Sequence, residues 1–148
     1  MTVIVGVDGS VGARAALEFA IDEAARRQSP LRVIAVVEPP AYGIAAVSGF
    51  VPPSAAILVK DVNGALQQHV DDIVAARQDG GAVTISVEAL AGQPGQVLCA
   101  AAGDADLLVV GRSGHGSVTE SLLGSVGLHC VMHALSPVTV VRAGSVDA

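Results

Sequence analysis

The stretch DLLVVGRSGHGSVTESLLGSVG, from Asp106 to Gly127, joins a short apolar run to a loop that is rich in glycine. Five of the 17 glycines of the chain fall between Gly111 and Gly127, and three of these five lie within residues 111–116. A loop with so few side chains lets backbone amides approach a ligand closely and form a concave nest for an anion. The stretch therefore predicts a strand that ends in an anion-binding loop.

Gly124 lies inside the helical pattern of Thr119–His133, where a glycine costs roughly 0.5–1 kcal/mol relative to alanine. This cost indicates a break, with one helix ending near Leu123 and another beginning at Ser125. A helix that begins there presents N–H groups without intrahelical partners and the positive end of its dipole. The Ser125 hydroxyl is then placed to donate a hydrogen bond to a phosphate oxygen.

Outside this stretch, short apolar runs alternate with helical patterns. The apolar runs are rich in Val, Ile and Leu, which is typical of strands covered on both faces of a parallel sheet. They lie at Thr2–Asp8, Leu31–Val37, Asp106–Val110 and Val138–Val141. A fifth segment, Ala82–Glu88, alternates with Val83, Ile85 and Val87 on one face, as a half-exposed edge strand does. Helical spacing follows Ser10, a favoured N-cap residue, and recurs at Ala55–Gln78, Pro94–Ala102 and Thr119–His133.

The order β-α-β-α-β-α-β-α-β predicts one α/β domain over residues 1–148, a doubly wound, five-stranded parallel sheet with helices on both faces. An edge position for the third strand favours the flavodoxin-like or Rossmann-like order 3-2-1-4-5. In that order the chain reverses direction between the first and fourth strands, and ligands bind outside the carboxyl ends of the strands at such a switch point. We therefore expect a site just after Asp8 and just after Val110.

The spacing G-x2-G-x9-G-[S/T] in the glycine-rich stretch resembles the signature of ATP-binding universal stress proteins, and it is formed by Gly111, Gly114, Gly124 and Ser125. Asp8 at the end of the first strand and the segment SPVTVVR, residues 136–142, extend the resemblance over essentially the whole chain. The resemblance implies a small ATP-binding regulatory protein of the stress response.

The same resemblance implies a role for each residue of the site. Asp8 would contact the ribose or the base-sugar region, and the backbone around Val36 would pair with adenine. The phosphates would be held by Gly111, Gly114, Gly124 and Ser125, with Arg112, His115 and Val126 lining the same pocket. Three phosphates carry several negative charges, so Mg²⁺ or Mn²⁺ is expected with the nucleotide. One position departs from the pattern, because Gly127 stands where ATP-binding relatives often carry Ser or Thr, which predicts one ligand contact fewer.

The last strand carries a further expectation. Val138–Val141 is short, strongly β-prone and at an edge of the sheet, where an unpaired strand is a liability. The resemblance implies a homodimer through this strand. Two other functions stay open, a nucleotide-free dimeric interaction module of the same fold and a slow ATP-hydrolysing or adenylate-using enzyme. No residue is assigned a catalytic role, since the sequence shows neither a nucleophile beside a base nor a Walker-type lysine.

Composition excludes several classes of partner. The 148 residues carry a formal net charge of −6 and only 2% aromatics, which argues against a nucleic-acid surface or an anionic membrane. The uncharged segment between Glu38 and Lys60 contains four prolines, so it predicts an apolar loop rather than a membrane helix. Cys99 and Cys130, 31 positions apart, match no zinc pattern and are interpreted as reduced thiols. The amino-terminal residues have no basic region of a secretory signal, and we expect a cytoplasmic protein.

Simpler interpretations stand beside these. The glycines of residues 111–116 can form a plain turn, and Asp8 can merely cap the first helix or turn. His129 and His133, at i and i+4, have the spacing of a metal pair but no third ligand. His69 lies on a predicted apolar stripe and is expected in the core or at its boundary. A Rossmann dehydrogenase is excluded, because the glycines after the first strand follow G-x-x-G-x-x-G rather than G-x-G-x-x-G.

Overall fold

A computed structural model describes residues 1–8, 10–38, 55–77, 83–112 and 123–143. Within these ranges, strands and helices alternate along the chain. They are β1 (Val3–Val7), α1 (Val11–Arg27), β2 (Leu31–Val37), α2 (Ala55–Ala76), β3 (Ile85–Ala91), α3 (Pro94–Ala101), β4 (Leu107–Gly111), α4 (Ser125–His133) and β5 (Val138–Val141).

The five strands form one parallel sheet in the order β3-β2-β1-β4-β5, which confirms the predicted fold class and strand order. β1 lies at the centre, with Val3 paired to Leu31 of β2 and to Leu107 of β4. These continuous apolar runs are buried because helices cover both faces of the sheet. The chain reverses direction between β1 and β4, at the predicted switch point.

Alternate residues of each strand face two separate apolar clusters, since side chains in a strand point to opposite faces in turn. On one face, α1 and α2 pack Leu17 and Val70 against Val5 of the central strand. On the other face, α3 and α4 pack Leu98 and Cys130 against Ile4. The sheet is therefore the middle layer of three, and the helices of each face begin at its carboxyl edge.

The prediction for α2 was wrong in one respect. His69 is exposed, while Val70 is 2% exposed and Ile73 is 4% exposed. From the buried Leu66, a step of four residues leads to Val70 and a step of three leads to His69, and both steps fit a helical period. The helix is oriented so that the apolar side chain of Val70 is buried and the imidazole of His69 is exposed to solvent.

The limits of β3 also differ from the prediction. The strand begins at Ile85 and ends at Ala91, three residues later at each end than Ala82–Glu88. The predicted face is confirmed, because Val83, Ile85 and Val87 all pack against the cluster on the α1 and α2 side. β3 is an edge strand, as expected.

Among the described residues, no helix has both the length and the apolar character needed to cross a bilayer. Most of the uncharged segment between Glu38 and Lys60, residues 39–54, lies outside the described ranges, so its interpretation as an apolar loop stays a prediction. Its last residues belong to α2.

Candidate functional site

A cavity of about 520 Å³ opens at the carboxyl ends of β1, β2 and β4, beside the first turns of α1, α3 and α4. Its volume is within the range of small-molecule sites. Seven of the nine residues predicted for the site line it, namely Asp8, Val36, Gly111, Arg112, Gly124, Ser125 and Val126. Gly114 and His115 lie outside the described residues. The switch point therefore brings the described part of the predicted site into one cavity.

The chain between β1 and α1 is held by two side-chain hydrogen bonds. Asp8 Oδ1 accepts from the backbone N–H of Ser10 at 3.0 Å, and Ser10 Oγ accepts from the N–H of Ala13 at 3.1 Å. The second bond is the N-cap of α1, as predicted from Ser10. The first bond is a local turn contact of the kind that Asp commonly makes, and it fixes an exposed carboxylate at the rim of the cavity.

Gly111, at the end of β4, lies against the start of α1. A Cβ at this position would be 3.1 Å from both the carbonyl carbon and the carbonyl oxygen of Gly12, and 3.4 Å from the nitrogen of Ala13. Such contacts are tight, and their partners are backbone atoms that cannot rotate away. The absence of a side chain at Gly111 therefore allows the end of β4 and the first turn of α1 to line one cavity.

Arg112 joins three parts of the site through its backbone. Its N–H donates to the carbonyl of Val141 in β5 at 2.9 Å, and its carbonyl accepts from the N–H of Gly124 at 2.7 Å. The two residues of the second bond are twelve positions apart in the sequence, so this bond holds together the two ends of the glycine-rich stretch. The start of α4 is thereby fixed beside the end of β4.

The helix α4 begins at Ser125, as predicted from Gly124, whereas the helix expected to end near Leu123 would lie mainly in residues outside the described ranges. Gly124 is the N-cap residue, with φ −64° and ψ 162°. No side chain caps this end of the helix, and the first turn contains no acidic residue. The first N–H groups of an α-helix have no intrahelical acceptor, and they carry the positive end of the dipole. Ser125, Val126 and Gly127 all line the cavity at this point.

Gly127 has a packing role in this arrangement. A Cβ there would lie 2.9 Å from Cδ1 of Leu123 and 3.5 Å from the carbonyl oxygen of Gly111. The glycine thus lets the first turn of α4 pack closely on the end of β4. A Ser or Thr at this position would require the Leu123 side chain to move.

The opposite wall is formed by β2 and α3. Ile34 and Val36 of β2 line it together with Leu98 of α3, and Glu38 follows at the end of the strand. A Cβ at Gly6 would lie 2.6 Å from Cδ1 of Leu98, so the absence of a side chain at Gly6 allows Leu98 to pack against β1 beside the cavity. Sequence reasoning missed Glu38 and Leu98 as lining residues. The position of Glu38 at the carboxyl end of a strand was a usable signal, whereas the placement of Leu98 depends on how α3 packs.

Charges in the described lining are few. Asp8 and Glu38 are acidic and Arg112 is basic, so the side chains alone do not make the cavity positive. An anion bound here would be stabilised mainly by helix N-termini and backbone amides, which act over short distances. The described residues contain no group of three or more His, Cys, Asp or Glu that could hold a metal ion.

The rings of His129 and His133 in α4 contact each other in a tilted arrangement, with centroids 4.5 Å apart and an interplanar angle of 46°. Their i and i+4 spacing is confirmed on one helical face. Among the described residues no third metal-ligating side chain joins them.

Comparison with known proteins identifies the class to which this fold and cavity belong. The model of the universal stress protein family matches residues 1–142, and the chain belongs to this family. The universal stress protein Rv2624c of Mycobacterium tuberculosis is 32% identical over 142 residues, which cover 96% of this chain and 48% of that protein. The chain spans about half the length of the curated relatives it matches.

Two solved structures extend the comparison. The universal stress protein UspA from Lactobacillus plantarum is 28% identical with a TM-score of 0.70, over 96% of this chain and 97% of that chain. A universal stress protein in complex with cAMP is 28% identical with a TM-score of 0.65, over 97% of this chain and 98% of that chain.

Proposed function

We propose that this chain is a nucleotide-responsive regulatory domain that binds an adenine nucleotide, ATP with Mg²⁺ or Mn²⁺, in the cavity at the β1/β4 switch point. The observation that carries the proposal is the convergence of seven predicted residues on one cavity of about 520 Å³. A relative that is 28% identical over nearly its whole length binds cAMP, which supports an adenine nucleotide as the ligand class. The domain would comprise residues 1–148.

The phosphates would lie at the start of α4. The amides of Ser125 and Val126 belong to the first turn of a helix that has no acidic residue in that turn and no side-chain cap. The Ser125 side chain is exposed at the cavity. Hydrogen bonds from such amides to phosphate are charge-assisted and therefore stronger than neutral ones. Arg112 adds a positive charge at the same end. Gly114 and His115 of the signature would complete this end of the site.

The nucleoside would lie toward β2. Ile34, Val36 and Leu98 offer an apolar wall of the kind that covers a purine, and the backbone around Val36 would pair with the adenine edge. Asp8, at the rim, would accept from ribose hydroxyls. Glu38 lies two residues beyond Val36 and adds a second acceptor on this side.

The divalent cation would arrive with the phosphates. Mg²⁺ usually keeps several waters and binds through substrate phosphates with one or two carboxylates, so it needs no cage built by the protein. Asp8 and Glu38 are the carboxylates in the described lining. The cation would neutralise phosphate charge in a protein whose net charge is −6.

Two substitutions at Asp8 test the proposal because they separate its two possible roles. Asp8→Asn keeps an Oδ1 acceptor for the Ser10 N–H, whereas Asp8→Ala removes it. If Asp8 binds ribose, both variants weaken Mg-ATP binding, by about tenfold for the loss of one charge-assisted hydrogen bond. Only the alanine variant should also unfold at a lower temperature. Isothermal titration with Mg-ATP, AMP and cAMP and thermal unfolding measure the two effects.

Wild-type protein sets the reference for this experiment. Ligand at 100 times its Kd stabilises a protein by about 2.7 kcal/mol, so binding must appear as a rise in Tm. Neither heat nor a rise in Tm at millimolar nucleotide refutes the proposed function. Full affinity in Asp8→Asn refutes the ribose contact and leaves Asp8 as a turn residue. Mass spectrometry of nucleotide that copurifies with native protein identifies the ligand directly.

We further propose a homodimer through β5, a surface that would also serve a nucleotide-free interaction module. The carbonyl of Pro137 accepts from the N–H of Leu108 in β4, and that of Val141 accepts from the N–H of Arg112 just after β4, each at 2.9 Å. Backbone groups of successive strand residues point to opposite sides, so those of Val140 face the open edge. The fold is consistent with a cytoplasmic location, which we propose on the basis of two cysteines that are free thiols.

The dimer is tested at Val140. Its side chain packs against the cluster on the α3 and α4 side, so a charged substitution there would disturb the core as well as the edge. Val140→Pro removes an outward N–H, and Val140→Ala trims the side chain but keeps that N–H. Light scattering should show monomers for the proline variant and dimers for the alanine variant. Equal oligomeric states for both variants and wild type would exclude β5 as the interface.

A further inference from the structure

Two cysteines meet where α3 packs on α4. Cys99 is half-buried and packs against the apolar cluster that contains Cys130, whose side chain is completely buried. Each cysteine lies five residues after the first residue of its helix, Pro94 for α3 and Ser125 for α4. The two cysteines therefore lie the same number of residues after the two helix N-termini that line the cavity.

The packing beside the thiols is close. A Cβ at Gly95 would lie 2.7 Å from Cγ of His129 and 2.9 Å from its Cβ. Gly95 is four residues before Cys99 and shares its helical face, while His129 directly precedes Cys130. The missing side chain at Gly95 thus brings α3 onto α4 next to the two sulfur atoms.

The environments of the two thiols differ. Burial is the largest of the causes that raise the pKa of Cys130 to about 12, and the charge of the neighbouring Cys99 and a side-chain hydrogen bond with it contribute to the same rise. Cys130 is consequently a neutral thiol in the folded protein at neutral pH, and thiols react as thiolates. Because Cys99 has solvent access and Cys130 has none, an oxidant would reach Cys99 first.

We propose that Cys99 and Cys130 form an oxidation-sensitive dithiol, which a peroxide converts to an intramolecular disulfide between α3 and α4. The sulfur of Cys99 attacks hydrogen peroxide, the O–O bond breaks, and a sulfenic acid and one water are formed. The sulfur of Cys130 then attacks the sulfenic sulfur as its proton passes to the departing hydroxyl, the S–O bond breaks, and the second water leaves. Two thiols and one peroxide thus yield one disulfide and two waters.

Cys99 and Cys130 thus form a site of oxidative modification next to residues that line the cavity. Leu98, which precedes Cys99, and Val126, which lies four residues before Cys130, both line the cavity. A disulfide would fix the distance between the helix N-termini that these residues belong to. An effect on nucleotide affinity rests on the proposed function, whereas the disulfide itself does not.

The test uses the full chain, reduced and then treated with hydrogen peroxide. Remaining thiols are blocked with an alkylating agent, and trypsin is added without reductant. Cleavage after Arg77, Arg112 and Arg142 places the two cysteines in different peptides, residues 78–112 and 113–142. The expected product is these two peptides joined, with the loss of two hydrogen atoms. A bridge that closes a loop of 31 positions should raise the Tm by about 10 °C, and dithiothreitol should reverse the rise.

Cys99→Ser and Cys130→Ala serve as controls that each retain one thiol, and neither should give the joined peptides or the rise in Tm. Three outcomes overturn the proposal. The first is oxidation of Cys99 alone to sulfinic acid, and the second is a disulfide between two chains. The third is alkylation of both residues after denaturation in the peroxide-treated sample, which shows that neither was oxidised. Because the peptide map contains no nucleotide, a failure here is distinguishable from a failure of the proposed function.

Discussion

Replacement of Gly111 by alanine tests whether close packing builds the cavity. The added Cβ would lie 3.1 Å from two backbone atoms of Gly12 and 3.4 Å from the nitrogen of Ala13. These atoms belong to the first turn of α1, which is fixed by the N-cap bond of Ser10. The strain can be relieved only if the end of β4 and the start of α1 separate by a few tenths of an ångström.

The expected change in the free energy of unfolding for Gly111→Ala has two opposing contributions. Alanine restricts the unfolded chain more than glycine does, which stabilises the protein by about 0.4–1 kcal/mol where the native backbone accepts it. Overpacking that forces a backbone shift costs about 1–3 kcal/mol. The net expectation for Gly111→Ala is a loss of roughly 1 kcal/mol of unfolding free energy. Because the moved turn lines the cavity, Mg-ATP binding should weaken as well.

Gly64 provides a matched control. It lies in α2, is exposed, and a Cβ there would meet nothing within 4 Å. Gly64→Ala should therefore stabilise the protein by about 0.5–1 kcal/mol, because only the backbone contribution remains. Urea unfolding of both variants should give midpoints on opposite sides of the wild-type midpoint, with unchanged m-values. If Gly111→Ala is as stable as Gly64→Ala, close packing at the end of β4 is not what requires glycine there.

Two further predictions concern the helices. Val70→Ala should lower the free energy of unfolding by about 2 kcal/mol, because Val70 is 2% exposed. His69→Ala should change it by less than about 0.5 kcal/mol. Equal losses of stability in thermal unfolding would contradict the observed register of α2. The hydrogen bond from Arg26, then that from Arg27, lowers the pKa of Glu23, so its contribution is present at neutral pH and is lost as the pH falls through that lowered pKa. Glu23→Gln should thus be less stable than wild type at about pH 7, with the gap closing as the pH falls below the usual range of a glutamate pKa; a gap independent of pH would refute this assignment.

The alternation of apolar runs and helical patterns, with the edge position of the third strand, was sufficient to predict the sheet order and the edge of the sheet at which the cavity opens. The ends of β3 were not predictable, because its partner sets them. Ala91 pairs with Val37, the last residue of β2, and Leu31 at the other end donates to the carbonyl of Thr84 at 2.9 Å. The residues Ala89–Ala91 have low β-propensity and join the sheet because β2 extends that far.

Gly111 of the signature and Gly127, which lies just after it, show why a motif alone does not separate a nucleotide site from an empty one. Interpreted from the sequence, Gly111 belongs to a loop that approaches phosphate. In the fold its missing side chain is needed by α1, and that of Gly127 is needed by Leu123. Both glycines are thus required to build the cavity, whether or not a ligand fills it. Asp8 and Ser125 also line the cavity and their side chains are exposed, so substitutions there disturb the packing less and test binding more directly than substitutions of glycine.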